Sequence, residues 1–540
     1  MRCLGWRRYD KRKTLFGDEC RDIIKLENIG RSDMFKEWPV MLESSKDRKT
    51  QNKMASSNPL AEKSSPIVII GAGVFGLSSA IHLAKRGFTN VTVFDRQPYH
   101  ETRYDFDRGC DAASADCNKI IRAAYGHEVW YQNLTLEAIK TWNEWNASLA
   151  NGQRLPPGMT KNEKIYVNCG NYHIGDEGLN PFEKMSVENI SKAGLGRTQY
   201  LFTDPNEVAR AQADGLGHAV DPFHQSKDGK YDGYLDAIGG LVYADKACRY
   251  ALHLAQELGV KVILDKKRGA FESFHEKNGK VNGIITADGK LHEAALTIVA
   301  CGGWTPGVLP EIDGLCETTA GSIAMLQIPT DSDLFKRFSP DQFPVWNYKV
   351  RAGPAGNLYG FPITPDGVMK LGYRGTKYTN PQQQSNGRVR SVPVTKWTSP
   401  SISGLPEKST EVIGHFLDTY LPELRENGIK ITNTRLCWYT DSFDNQFVVD
   451  AVPDKPGVMV ATGGSGHGFK FLPVLGRFVA DRVESIPSDM LQRWQWRQLR
   501  EGEKPFNVLM KGFEDQNALQ KTKMKQERDL KDDGGCKSNL

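Results

Sequence analysis

The sequence predicts a mixed α/β and α+β protein in which a discontinuous Rossmann-like domain is interrupted by a second, sheet-rich domain. Three observations carry this. The stretch PIVIIGAGVFGLSSAIHLAKRGFTNVTVFDRQ runs from an apolar strand through a glycine turn and an amphipathic helix into a β-branched strand ending in an acid, which is a βαβ unit. Far along the chain, GLVYADKACRYALHLAQELGVKVIL reads as helix then strand, and KVNGIITADGKLHEAALTIVACGGW as a hairpin around Asp-Gly followed by a buried strand. Between these units lie long segments of mixed strand pattern without a nucleotide signature.

Taken in order, residues 1–64 are a polar, irregular extension; 65–141, 236–310 and 436–490 build the nucleotide-binding domain; 142–235 and 311–435 build the inserted substrate domain; and 491–540 form a C-terminal helix and tail. The extension reads either as a disordered or targeting segment or as the product of an upstream start, because Met54 opens a stretch leading straight into the first strand. From about Lys511 the tail is rich in Lys, Gln, Asp and Glu, and disorder is expected of it. Its last residues, Ser-Asn-Leu, are similar to the Ser-Lys-Leu peroxisomal address.

Composition narrows the function classes. The 540 residues carry 70 Lys and Arg against 65 Asp and Glu, a net charge of +5, much of it in the tails, so no nucleic-acid footprint is expected. No apolar run has a membrane-spanning length and the N-terminus lacks a secretory pattern, so the expectation is a protein working inside a cell, peroxisomal or cytoplasmic, without a membrane partner. Ten cysteines without CxxC pairs argue against a disulfide framework and against a metal site.

The glycine turn is the clearest chemical signal. Gly71, Gly73 and Gly76, with Val74 and Phe75 between them, give G-x-G-x-x-G between a strand and a helix. The first glycine permits the turn, the second lets backbone approach a pyrophosphate, and the third allows close helix packing, while the helix N-terminus faces the phosphates with its positive end. Asp95, at the end of the next strand, is placed to accept from a ribose hydroxyl. This motif alone leaves NAD and FAD open. The distant strand ALTIVACGGWTP, ending in Gly302, Gly303 and Trp304, favours the flavin, since a domain assembled from separated segments needs such a return.

With these elements in place the chain resembles the FAD-dependent amine oxidases that include monomeric sarcosine oxidase, pipecolate oxidase, fungal saccharopine oxidase and the fructosyl amino acid oxidases. The resemblance covers about Pro66 to Val483 and rests on IVIIGAGVFGLSSAIHLAKRG, NKIIRAAYG, ACGGW, YGFPITPDGVMKLGY, RLCWYTDSFDNQFVVD and GGSGHGFKF in the family's order. The stretch GCDAASADCNKIIRAAYG looks most like the fungal saccharopine and fructosyl amino acid branch.

The resemblance implies roles for individual residues. It puts Cys437 where the family bonds sulfur to the flavin, with a buried inert thiol as the alternative, and Tyr439 on the same side of the strand facing the substrate. Lys370 matches the lysine that assists reaction with oxygen, where a cation stabilises developing negative charge; a lysine snorkelling to the surface is the alternative. Tyr359 opens the same motif and should line the pocket. Arg122 and Lys470 match the pair that grips the substrate carboxylate. Lys119 falls where sarcosine oxidases carry an arginine near the flavin. Gly466 and Gly468 should let backbone approach substrate and flavin, and His467 is read as structural. Arg374 replaces the histidine that sarcosine oxidases have four residues after the oxygen-site lysine. It favours a substrate with more than one carboxylate, unless it pairs with a structural acid.

The implied activity is oxidation of a secondary amine derived from an amino acid, saccharopine-like or fructosyl amino acid, with oxygen as acceptor, by a monomer carrying FAD. A sarcosine- or pipecolate-type oxidase, a nicotinamide-dependent dehydrogenase and a flavin-fold partner without turnover stay open at this point.

Overall fold

The strand Ile67–Ile70 is buried along its whole length, as its continuous apolar run requires of a strand covered on both faces. It lies inside a six-stranded sheet of order Val448–Ala451, Val458–Thr462, Leu296–Val299, Ile67–Ile70, Val91–Asp95, Lys261–Leu264. All neighbours are parallel except the edge strand Val448–Ala451. The computed structural model describes residues 58–532 apart from 175–177, 226–232, 386, 400–401, 504–506 and 508–516. The Met54 stretch up to residue 57 and the Ser-Asn-Leu end lie outside the described residues.

The helix Val74–Lys85 follows the glycine turn and crosses the helix Gly476–Val483 closely. Glycine makes both approaches possible. A Cβ on Gly76 would stand 1.8 Å from the Gly71 carbonyl oxygen, and one on Gly476 would stand 1.9 Å from the Ser78 carbonyl oxygen. The Gly476 N–H donates to the Ser78 hydroxyl at 2.7 Å. The expected helix Ala244–Glu257 and strand Lys261–Leu264 are present, as is the Asp-Gly hairpin joining Lys280–Thr286 to Leu291–Glu293.

The second sheet has eight strands in the order Ile431–Ser442, Cys316–Gln327, Val368–Tyr378, Leu358–Gly360, Val345–Tyr348, Asn171–Ile174, Tyr234–Asp236, Gln199–Leu201. Its pairs are antiparallel except Val345–Tyr348 with Asn171–Ile174. One face packs on a core that includes Leu436, Trp438 and Phe416 of the helix Glu407–Tyr420, with the Trp346 and Phe416 rings stacked at 4.4 Å. Alternation along the strand then sends Cys437 to the other face, beside Ile323, Met325, Tyr359 and Tyr439.

Two expectations are corrected here. The boundary at 435/436 falls inside Ile431–Ser442, which pairs without interruption of the strand from Ser442↔Cys316 to Ile431↔Leu326, so Cys437 and Tyr439 are carried by the eight-stranded sheet. The tail is not irregular throughout. Met524–Gln526 pairs with Gly404–Pro406, Ala518, Leu519 and Leu530 are buried, and the Glu527 carboxylate accepts from the Thr434 N–H and hydroxyl. A few apolar residues beside a strand partner are enough to order it despite its charge.

Gly476→Ala should lower stability by about 1–3 kcal/mol, the usual cost of forcing an extra group into a packed contact. Gly414→Ala, in the helix Glu407–Tyr420 where a Cβ meets nothing within 4 Å, should instead raise it by roughly 0.5–1 kcal/mol. Urea midpoints of the two holoproteins check both signs.

Candidate active site

A cavity of about 360 Å³ opens between the two sheets. At one end it is walled by Gly71, Gly73, Val74, Phe75, Asp95, Gly302 and Trp304. Gly71 has φ +107° and passes so close to the Ala300 carbonyl that a Cβ would stand 2.4 Å from its oxygen. The helix starting at Val74 has no cap from its own N-cap glycine and no acid in its first turn; the Ser114 hydroxyl accepts from the Val74 N–H at 3.2 Å, and the other N–H groups of its positive end stay open to an anion. Asp95 accepts from the Ala72 N–H and from the Gln97 N–H, each at 2.8 Å, so it ties down the glycine turn and still has lone pairs for a hydroxyl donor. Gly76 does not line the cavity; it packs helix against turn.

At the other end lie Cys437, Tyr439, Tyr359, Arg374, Gly466, Gly468, Arg122, Lys119 and Lys470. Three cations here find neutral partners only. Arg122 donates to the Ala124 carbonyl. Arg374 donates to the Ser465 and Gly466 carbonyls at 3.1 and 3.2 Å and to the Tyr439 hydroxyl at 3.3 Å. A Cβ on Gly466 would collide with that guanidinium. Lys470 donates to the Tyr125 hydroxyl at 2.8 Å. Among the described residues no carboxylate pairs with any of the three. Burial, then repulsion from Arg122 and Arg374, pushes the Lys470 ammonium well below its ordinary range.

Lys370 stands apart. Only 1% exposed, it is not a snorkelling lysine, and it does not line the cavity. Its Nζ donates to the Asn118 carbonyl at 2.5 Å and pairs with Asp116 at 3.0 Å. Lys119 reaches the same carboxylate at 2.6 Å. Burial alone raises Asp116, but the two lysines pull its carboxyl far below the usual range. Lys119 ends above its ordinary value because Asp116 and the Cys437 sulfur outweigh burial, whereas for Lys370 burial wins.

The family described as DAO, FAD dependent oxidoreductase, matches residues 66–482. The chain belongs to this family. It is an FAD-dependent oxidoreductase, and the open helix end, the glycine turn and Asp95 fit the dinucleotide. L-saccharopine oxidase of Schizosaccharomyces pombe is 29% identical over 80% of this chain and 93% of its own length. Monomeric sarcosine oxidase of Bacillus sp. is 24% identical over 77% and 90%. Among solved structures, fructosyl peptide oxidase from E. terrenum superposes with a TM-score of 0.67 at 23% identity, over 81% of this chain and 93% of that one. Fructosamine oxidase (Amadoriase II) from Aspergillus fumigatus gives 0.60 at 24%, over 81% and 90%. These two likenesses concern the fold.

Sequence reasoning missed Asp116 and Tyr125. Tyr125 joins Lys470 to His467, whose Nδ1 lies 3.1 Å from its hydroxyl while Nε2 meets the Asn445 carbonyl at 3.0 Å. His467 therefore donates through Nε2 and accepts at Nδ1. Both missed residues lie in the quoted stretches around NKIIRAAYG, but their partners are distant in sequence, so only the fold joins them. No group of three potential metal ligands occurs among the described residues, and their seven cysteines are free thiols.

Asp116→Asn should destabilise the protein by about 3–5 kcal/mol, because it leaves two buried ammonium groups without their anion. The wild-type advantage should be complete above about pH 4, the unfolded carboxylate range, and disappear only in stronger acid as Asp116 itself protonates. Chemical denaturation of both proteins across pH checks it.

Proposed function

We propose that the protein oxidises a secondary amine derived from an amino acid, saccharopine-like or fructosyl amino acid, with oxygen as acceptor. The observation that carries this is the trio Arg122, Arg374 and Lys470, three cations at one end of the cavity that no carboxylate of the described residues neutralises. Lys470 is buried and Arg122 and Arg374 are half-buried; charges so removed from water need partners, and a substrate carboxylate is the partner these three lack. Arg122 and Lys470 hold the α-carboxylate common to such amines, and Arg374 meets a second one. The similarity to L-saccharopine oxidase supports that choice.

The bound flavin supplies the chemistry, taking a hydride equivalent from the carbon beside nitrogen and passing electrons to oxygen. The chain's own groups orient and balance charge. Tyr359 and Tyr439 flank the reacting end, Lys370 and Lys119, joined through Asp116, would supply positive charge near the flavin for the reaction with oxygen, and Cys437 would be the covalent attachment point. The imine leaves to be hydrolysed. Peroxide production agrees with a peroxisomal location.

Peroxide release across saccharopine, fructosyl-valine, fructosyl-lysine, pipecolate and sarcosine tests the reading, and no turnover on any would overturn it. Acid-denatured protein should keep its flavin, and Cys437→Ala should lose it by mass. Lys370→Met should slow reoxidation by a few hundredfold, equivalent to about 3–4 kcal/mol, while anaerobic reduction by substrate changes less in stopped flow. Arg374→His should raise the KM for a dicarboxylic or tricarboxylic amine by roughly tenfold or more, about 1.4 kcal/mol, and spare monocarboxylic amines. Equal losses on both classes would make Arg374 a loop anchor.

A further inference from the structure

We propose that Arg435 is the cation that lets Cys437 attach to the flavin, by holding negative charge on its sulfur; this rests on the covalent reading of Cys437 given above. Two positions apart in an extended strand, the side chains leave the same face with origins about 7 Å apart. Both are buried, at 3% and 6% exposure. The guanidinium donates to the Ala112 carbonyl at 2.7 Å and to the Ala115 carbonyl, and Ala113 between them packs against Cys437. One loop therefore touches both groups. The guanidinium also lies 4.2 Å from the Phe106 ring centre.

What marks Arg435 is what it lacks. Its Nε has no hydrogen-bond partner, and no carboxylate pairs with it among the described residues. Asp116 is already shared by Lys119 and Lys370, so one carboxylate faces three cations. An arginine needed only to anchor the loop would leave a full charge buried without an anion, which is costly. The Cys437 sulfur, two residues on along the same strand face and bordered by the same loop, is the group placed to supply it. The remaining groups around the sulfur are Lys119 from the loop side and the rings of Tyr359 and Tyr439.

The step balances. The thiol gives up its proton, an S–C bond forms at a ring methyl carbon of the flavin, and one C–H bond of that methyl breaks. The electron pair left on the ring passes to oxygen, which with the two protons leaves as hydrogen peroxide. Arg435 exchanges no proton and stays charged throughout.

The test uses full-length chain made under flavin limitation, given FAD, and quenched in acid at intervals, the adduct being read by mass. Arg435→Gln should bind FAD, seen in the absorbance of the native protein, yet form adduct about tenfold or more slowly at pH 7. It should recover towards the wild-type rate at pH 9, where hydroxide does the work of the cation. Arg435→Lys should stay near wild type at pH 7. A Gln variant that attaches flavin at the wild-type rate, or is slow at both pH values, makes Arg435 a loop anchor and overturns the proposal. Wild-type chain that never forms adduct overturns the covalent reading itself.

Discussion

Asp116 is almost wholly enclosed, and it stays ionised because Lys119 and Lys370 reach it from two different sheets. Lys119 begins the short strand that pairs with Gly240–Val242, and Lys370 sits in the middle of the eight-stranded sheet. The loop between them carries Ala112, Ala113 and Ala115, which meet Arg435 and Cys437. Remove the carboxylate and each of these elements keeps its own hydrogen bonds but loses its reason to meet the others here. The charge also fixes electrostatics, since one anion cannot neutralise the cations gathered around it.

The site is thus built on positive charge that the protein itself leaves open. At the reacting end the cations rest on carbonyls and hydroxyls, which orient them without cancelling them. At the dinucleotide end the opening helix does the same with partial charge, having no acid in its first turn and only the neutral Ser114 hydroxyl on its Val74 N–H. The phosphates of a dinucleotide at one end and the carboxylate of a second molecule at the other would satisfy both. The chain from Lys470 through the Tyr125 hydroxyl to His467 and the Asn445 carbonyl adds rigidity, because Tyr125 and His467 each have a single donor to place.

Much of this was legible in order along the chain. Gly71, Gly73, Gly76 and Asp95 announce themselves because their work is local: turn, close approach and strand end fall within one βαβ unit. The Asp288-Gly289 hairpin is legible for the same reason. Motif order carried the residues of the reacting end into one family, and all of them but Lys370 line the cavity. What the sequence hides is pairing across distance. Nothing near Arg374 says that its partners are the carbonyls of Ser465 and Gly466, and nothing near Lys370 points to Asp116. The strand holding Cys437 was divided by a boundary at 435/436 because its apolar pattern suits either sheet; only the ladder with Cys316–Gln327 decides.

That same strand forms one border of the eight-stranded sheet, and its outward backbone is closed by side chains and by the Ser465 N–H, which donates to the Thr440 carbonyl at 2.9 Å, rather than by another strand. Glu527 takes the Thr434 N–H, the Ser465 hydroxyl takes the Ser442 N–H, and Asn507 donates to the Ser442 carbonyl. An uncovered border of this kind is a template for association with other chains. During synthesis the border is complete long before Glu527 leaves the ribosome. The growing polypeptide therefore passes through an interval in which its most reactive strand is also its stickiest, and shielding in that interval falls to chaperones or to speed.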